Sequence, residues 1–270
     1  MSYSSGISFI GGGNMACAII DAILNSKLIP ASELSVFDPS EEKQAQLRNK
    51  GVNVLSSNDQ IISRDDVLFL AVKPQVMDSV LSSISGKVKS KCIVSIAAGI
   101  SVDHIKSFLG EDVPIIRTLP NTPMLVLNGM TVVAESSDVS EEMFSFVLSI
   151  FKSAGEVVVL PEDKINEAIP LSSSSPAFFF RMLKAMAEVG EKNGISYEDS
   201  FKLAATAMMG SAEYAMKSEA SLDELISQVS SPGGTTVAAL SAFDDFGFEK
   251  FIEEVEKRCI NRAYELGTSK

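Results

Sequence analysis

Through the first 160 residues, short apolar runs alternate with stretches of helical periodicity. Ile7-Ser8-Phe9-Ile10 predicts a strand running straight into Gly11-Gly12-Gly13, and Met15 to Leu28 carries apolar residues at helical spacing. Leu34 to Phe37 predicts a second strand ending at Asp38-Pro39; Ser40 then takes the N-cap position of a polar helix over Glu41 to Asn49. A short strand is expected at Val52 to Leu55. Val67 to Val72 and Cys92 to Ile96 are continuous apolar runs, the pattern of strands buried on both faces of a parallel sheet. Strands over Pro114 to Thr118, Met130 to Val133 and Glu156 to Leu160, with a helix at Glu141 to Lys152, complete this half. Strands alternating with helices imply βαβ units and a doubly wound, mostly parallel sheet.

After Leu160 the pattern changes. No strand is expected from Asp163 onward, and Phe178–Glu191, Glu198–Lys217, Leu222–Gln228, Thr235–Phe243 and Phe248–Leu266 read as helices. Pro170, Pro176, Gly194 and Ser231-Pro232-Gly233-Gly234 punctuate them. The expected division is therefore an α/β domain over 1–162 and an all-α domain over 163–270. Ala204 to Gly210 has almost no polar face, and a helix apolar all round must be covered. So few helices cannot bury so many apolar faces alone, which points to an interface between copies.

Composition narrows the function. The chain has 270 residues, enough for two domains with real cores, and 46% are hydrophobic. With 23 basic against 35 acidic residues the net charge is −12, which argues against nucleic acid as a partner. A local pocket can still oppose that sign and take a small anion. Cys17, Cys92 and Cys259 lie far apart, as free thiols of a reducing compartment do. His104 is the sole histidine, so neither a His-rich metal site nor a Ser-His-Asp triad is expected. No apolar run spans a bilayer and the first ten residues lack the basic and apolar segments of a signal peptide; no membrane partner and a cytoplasmic location are expected.

Gly11-x-Gly13-x-x-Ala16 follows a strand and opens a helix, the context a dinucleotide requires. The first glycine makes the tight turn and the second lets backbone approach a pyrophosphate. The small third residue brings helix onto strand, and the helix N-terminus faces the anion. Asp38, at the end of the second strand, has two readings: an acceptor for the adenosine ribose hydroxyls of NAD, or a turn residue of Asp-Pro-Ser. Ser40 and Lys43 are nearby receivers for a 2′-phosphate. Ala71-Val72-Lys73-Pro74 leaves a buried strand at its carboxyl edge, where open α/β sheets bind ligands.

Four segments occur in order: Phe9-Ile10-Gly11-Gly12-Gly13-Asn14-Met15-Ala16, Leu70-Ala71-Val72-Lys73-Pro74, Arg117-Thr118-Leu119-Pro120-Asn121-Thr122-Pro123 and Ser230-Ser231-Pro232-Gly233-Gly234-Thr235-Thr236. Together they resemble the pyrroline-5-carboxylate reductase family, over residues 7 to 266. The resemblance implies a Rossmann domain followed by an all-α dimerisation domain, a homodimer through that domain, and in some members a ring of dimers. It implies NAD(P)H-dependent reduction of 1-pyrroline-5-carboxylate to proline. Carried over by position, the cofactor contacts are Ile10, Gly11, Gly12, Gly13, Asn14, Met15, Asp38, Asn58, Ala71, Val72, Lys73, Pro74, Ala97, Ala98 and Gly99. The substrate contacts are Glu219, Ser231, Thr235 and Thr236, with Ser231 and Thr236 in the catalytic role. The turn at 231–236 can cradle the substrate carboxylate with backbone N–H groups, and the Thr236 hydroxyl can bond the imine nitrogen.

Two departures from the family pattern stand out. The family's Leu-Ser-Gly-Ser-Gly-Pro-Ala segment is here Leu171-Ser172-Ser173-Ser174-Ser175-Pro176-Ala177, and serine at 173 or 175 costs backbone freedom wherever positive φ is needed. Members using NADPH often have a neutral residue at the position of Asp38, so cofactor use here is expected to be relaxed or to lean toward NADH. Two other readings compete. A related hydroxy-acid dehydrogenase would need a catalytic lysine, for which Lys184 and Lys192 are available; a regulatory nucleotide-binding protein would bind cofactor without turnover.

Overall fold

The computed structural model of the chain describes residues 6–268. Eight strands form one sheet: β1 (Ile7–Ile10), β2 (Leu34–Phe37), β3 (Asn53–Val54), β4 (Val67–Leu70), β5 (Cys92–Ser95), β6 (Ile115–Pro120), β7 (Gly129–Ala134) and β8 (Gly155–Leu160). Their order is β3-β2-β1-β4-β5-β6-β7-β8. Neighbours pair in parallel except β6 and β7. The strand order reverses direction at β1, between β2 and β4, and such a switch point opens a crevice at the carboxyl edge of the sheet. Helices α1 (Asn14–Asn25), α2 (Glu41–Asn49), α3 (Asn58–Ile62), α4 (Pro74–Ile84), α5 (Val102–Leu109) and α6 (Glu141–Lys152) connect these strands.

The period-2 alternation of each strand divides its side chains between two layers. Ile7, Phe9, Val67 and Phe69 pack on α1 and α6 residues such as Ile20, Phe146 and Phe151, while Ile10, Leu68 and Leu70 pack on Met77 and Leu81 of α4 and Ile105 of α5. The Phe9 and Phe69 rings stack at 4.6 Å. Each such side chain, removed wholly from water, contributes about 1.5–3 kcal/mol. The continuous run at 67–72 is strand only to Leu70; the Ala71 N–H makes a last bond to the Ile10 carbonyl at 2.9 Å, and the chain then departs toward Pro74, the first residue of α4. Ser40 occupies the N-cap position of α2 but its side chain caps nothing.

From residue 163 on, the described chain contains no strand: α7 (Ile165–Ala168), α8 (Ser175–Lys192), α9 (Tyr197–Lys217), α10 (Leu222–Gln228), α11 (Thr235–Phe246) and α12 (Phe248–Thr268) fill it, with a π-turn at Ile169–Ser173. The compact units do not divide at 162/163. One unit runs through Pro176 and takes in the chain from Arg258 onward; the other is Ala177–Lys257. The reason is a third apolar cluster, in which Ile165, Ala168, Ile169 and Ala263 pack on Leu119, Val132 and Ala134 of the sheet.

In the helical unit α8 and α9 approach so closely that a Cβ on Gly190 would lie 2.2 Å from the Ser200 hydroxyl. Ser196 caps α9, and Ser221 with Glu224 forms a capping box at α10. The apolar positions of this unit remain largely uncovered by the chain itself. Phe246 is 87% exposed, Met216 78% and Met209 66%.

Candidate active site

Three consecutive strands of the sheet, β1, β4 and β5, deliver their following loops to one carboxyl edge. A cavity of about 400 Å³ lies there, lined by Gly13, Asn14, Met15 and Ala16 after β1, Ala71 to Pro74 after β4, and Ile96, Ala97 and Ala98 after β5, with Lys43 of α2. Of the fifteen residues expected to hold the cofactor, nine line this cavity. Ala16 of the glycine motif and Lys43, the candidate receiver of a 2′-phosphate, line it as well, and so does Ile96, which was not anticipated.

The remaining six act behind it or elsewhere. Ile10 is 2% exposed and its side chain belongs to the core, not to the cavity. Gly11 has φ +102°, and a Cβ there would sit 2.5 Å from the Ala71 carbonyl, so the turn requires glycine. Its N–H is spent on the Phe37 carbonyl at 2.8 Å. Gly12 donates its N–H to Asp38 Oδ2 at 2.8 Å. Gly13 differs: a Cβ there would meet nothing within 4 Å on the protein side, and it caps α1 with no side-chain acceptor over the helix start. The first-turn amides of α1 thus remain available to an anion beside open space, the arrangement a pyrophosphate needs. Gly99 is buried and left-handed (φ +79°). Asn58 opens α3 and donates to the Ser83 hydroxyl at 3.2 Å, away from the cavity lining.

Asp38 is 6% exposed and both carboxylate oxygens are engaged within the chain. Oδ2 accepts from Gly12 and Oδ1 accepts from the Ser40 N–H at 2.9 Å, the bond of an Asx turn. Lys43 Nζ lies 3.6 Å from Oδ2. The turn reading of Asp-Pro-Ser is therefore realised, and the carboxylate also braces the glycine loop. The Cys17 thiol donates to the Gly12 carbonyl at 3.6 Å from the other side.

In the helical unit, Ser231, Thr235 and Thr236 come together on one element. The Gly234 N–H closes a turn onto the Ser231 carbonyl at 2.9 Å, with Pro232 second and Gly233 third at φ +72°. That is the residue order of a type II turn. Gly234 then caps α11 without any side-chain acceptor, leaving the first amides of the helix at Thr235 and Thr236. Glu219 is not part of this turn; it is exposed between α9 and α10 and lines a different concavity with Ala220, Glu224, Ser227 and Gln228.

The Ser172–Ser175 segment is wound as helix and π-turn, and neither Ser173 nor Ser175 has positive φ. Ser175 is buried and donates to the Leu171 and Ser172 carbonyls at 3.0 and 3.2 Å. Asn121, of the Arg117–Pro123 segment, holds this turn by donating to the Ser172 carbonyl at 3.1 Å.

Comparison with known proteins decides the family. Residues 162–266 match the family model described as pyrroline-5-carboxylate reductase dimerisation, and residues 6–99 match that described as NADP oxidoreductase coenzyme F420-dependent. The chain is 37% identical to the pyrroline-5-carboxylate reductase of Escherichia coli, across 97% of this chain and 98% of that one. It belongs to the pyrroline-5-carboxylate reductase family. The Pseudomonas aeruginosa member is 34% identical across 96% of both chains. The crystal structure of the Plasmodium falciparum reductase with NADP bound superposes with a TM-score of 0.91 at 27% identity, covering 99% of this chain and 100% of that one. The family model's start at residue 162 lies beside the expected domain boundary, whereas the compact units reassign α7 and the end of α12 to the sheet. What sequence reading missed at the site is Ile96, which carries no motif and reaches the cavity only because β5 lies beside β4 in the sheet.

Proposed function

We propose that the chain reduces 1-pyrroline-5-carboxylate to L-proline, with a nicotinamide cofactor held in the cavity at the carboxyl edge of β1, β4 and β5. The observation that carries the cofactor assignment is Gly13: a glycine whose missing side chain leaves open space at an uncapped helix start. When bound, the cofactor supplies hydride; the protein supplies alignment. The imine would receive that hydride at C5 and one proton at its nitrogen, giving proline. The uncapped amides at the start of α11 receive the substrate carboxylate, and the Thr236 hydroxyl bonds the ring nitrogen, orienting the C=N bond and assisting protonation. Ser231 shapes and lines the same turn. Glu219, set on a different concavity, has a looser claim as a substrate contact.

The cofactor is NADH or NADPH, with a lean toward NADH. Asp38 places a carboxylate where a 2′-phosphate would be repelled, while Lys43, lining the cavity, offsets that charge. The exposed apolar positions of the helical unit form the homodimer face, and further assembly into a ring of dimers builds on that dimer. The reaction is tested by following NADH and NADPH oxidation in parallel with pyrroline-5-carboxylate. Turnover with NADH at least equal to that with NADPH is expected. Cofactor binding without turnover would favour the regulatory reading instead, and strong NADPH preference would overturn the reading of Asp38.

A further inference from the structure

Arg117 is one of the most buried charges in the sheet unit, at 2% exposure on β6, opposite Ser95 of β5. Its Nη1 donates to Glu162 Oε1 at 3.0 Å and its Nη2 donates to Asn166 Oδ1 at 2.5 Å. The same Glu162 oxygen accepts the Val102 N–H at 3.2 Å. Val102 is the first residue of α5, and the segment that enters it is Ala97-Ala98-Gly99-Ile100-Ser101. Gly99 of that segment is pressed against α12, where an added Cβ would lie 2.8 Å from the Ala263 carbonyl. The loop after β5 is thus pinned at two points: at Gly99 by α12 and at Val102 by a carboxylate that Arg117 aims.

A buried ion pair of this kind is a poor source of stability, because desolvation consumes most of the attraction. Burial pulls the Arg117 pKa down and the Glu162 hydrogen bond pushes it back. Arg117 Nε is buried with no partner among the described residues, a cost that pure stabilisation does not explain. What the planar guanidinium supplies is direction: with Nη2 anchored on Asn166 Oδ1, Nη1 meets the Glu162 oxygen from a fixed side. Here the fixed oxygen is the one that meets the Val102 amide.

We propose that Arg117 and Glu162 are positioning residues for the cofactor: they set the 97–101 loop through the Val102 N–H, and so hold Ala97 and Ala98 at the cavity wall. The inference rests on the assignment of that cavity to the nicotinamide cofactor. Neither residue touches the reacting atoms.

Glu162 is the residue to vary, since its half-open position makes Glu162→Ala and Glu162→Gln compatible with folding. Cofactor KM, kcat, the KM for pyrroline-5-carboxylate and thermal midpoints are measured for both, alongside amide hydrogen exchange over residues 96–102 in the unaltered chain alone, with NADH and with NADPH. For Glu162→Ala the cofactor KM is expected to rise about 10-fold, with kcat and substrate KM within about twofold. Glu162→Gln, whose amide oxygen still accepts from Val102 and Arg117, is expected to recover most of that loss. An unchanged cofactor KM in Glu162→Ala, or a lowered thermal midpoint with kcat and KM untouched, would overturn the inference while leaving the cavity assignment standing. Absence of protection over 96–102 by both NADH and NADPH in the unaltered chain would overturn the cavity assignment, and the inference with it.

Discussion

The Asp38 carboxylate accepts the Gly12 amide at 2.8 Å, across 26 residues of sequence. That bond ties the end of β2 to the loop after β1, and its second oxygen closes the turn onto Ser40. The carboxylate on which the proposed cofactor preference rests is therefore also one that holds the glycine loop in place. Asp38→Ala leaves the Gly12 and Ser40 amides without their acceptor, so unfolding free energy should fall by about 1–3 kcal/mol. Cofactor KM should rise for both nucleotides. It should rise less for NADPH, because Lys43 loses its intramolecular partner and is left to the 2′-phosphate. Denaturant unfolding and paired kinetics check both halves, and a selective loss of NADPH would contradict the second.

Gly11 and Gly13 separate folding from binding. Gly11→Ala forces a Cβ to within 2.5 Å of the Ala71 carbonyl at a left-handed φ. Loss of stability of about 1–3 kcal/mol should accompany loss of cofactor affinity. Gly13→Ala meets open space, at φ −69° that any residue adopts. It should melt like the unaltered chain, yet bind NADH and NADPH at least about 10-fold more weakly, because the methyl group stands where the cofactor backbone approaches. Unaltered affinity in Gly13→Ala would remove the glycine loop from the binding site.

The glycine loop was legible because its signal is local: strand, turn and helix start lie within ten residues, and each glycine has a backbone reason to be there. The central strands were legible for the same reason, since burial on both faces writes itself as a short continuous apolar run. The brace at Asp38 was not, because which way a carboxylate turns depends on a loop amide 26 residues away. The Arg117–Glu162 pair spans 45 residues and carries no periodicity at all. The domain boundary was read where strands stop. The compact unit extends past it because Ile165, Ala168 and Ile169 join Leu119, Val132 and Ala134 of the sheet in one apolar cluster.

The serines at 173 and 175 should carry no catalytic penalty. Neither needs positive φ, so glycine has no conformational advantage there. Ser175→Gly removes a hydroxyl proton shared between the Leu171 and Ser172 carbonyls and adds backbone freedom, and should destabilise by about 1–2 kcal/mol. Ser173→Gly gives up only a 3.4 Å contact to the Pro120 carbonyl and should cost about half as much or less. Turnover with pyrroline-5-carboxylate should stay within about twofold in both variants. A large gain in kcat on restoring either glycine would show that the serines had slowed the chemistry.

Alkaline pH should weaken the sheet unit through Cys92. Its thiol is 4% exposed on β5, and burial pushes its pKa from 9.0 up to about 12. In the unfolded chain the same thiol ionises near its ordinary value. Between those two values the unfolded state has lost its proton and the folded state has kept it. The stabilisation is complete below pH 9 and drains away as pH rises toward 12, at up to about 1.4 kcal/mol per pH unit for this one group. Burial raises the Cys17 pKa as well, which acts in the same direction. Other groups titrate in this range, so the measurement is differential: unfolding free energy from pH 8 to 10.5 for the unaltered chain and for Cys92→Ala. The variant should start lower, because it empties a methyl-sized space beside Phe69 and Val94, and should fall less steeply with pH. In the unaltered chain Cys92 should also resist thiol reagents at pH 8 until the protein unfolds. Rapid labelling of Cys92 in the native state, or parallel pH slopes for the two proteins, would mean that the thiol reaches solvent without unfolding.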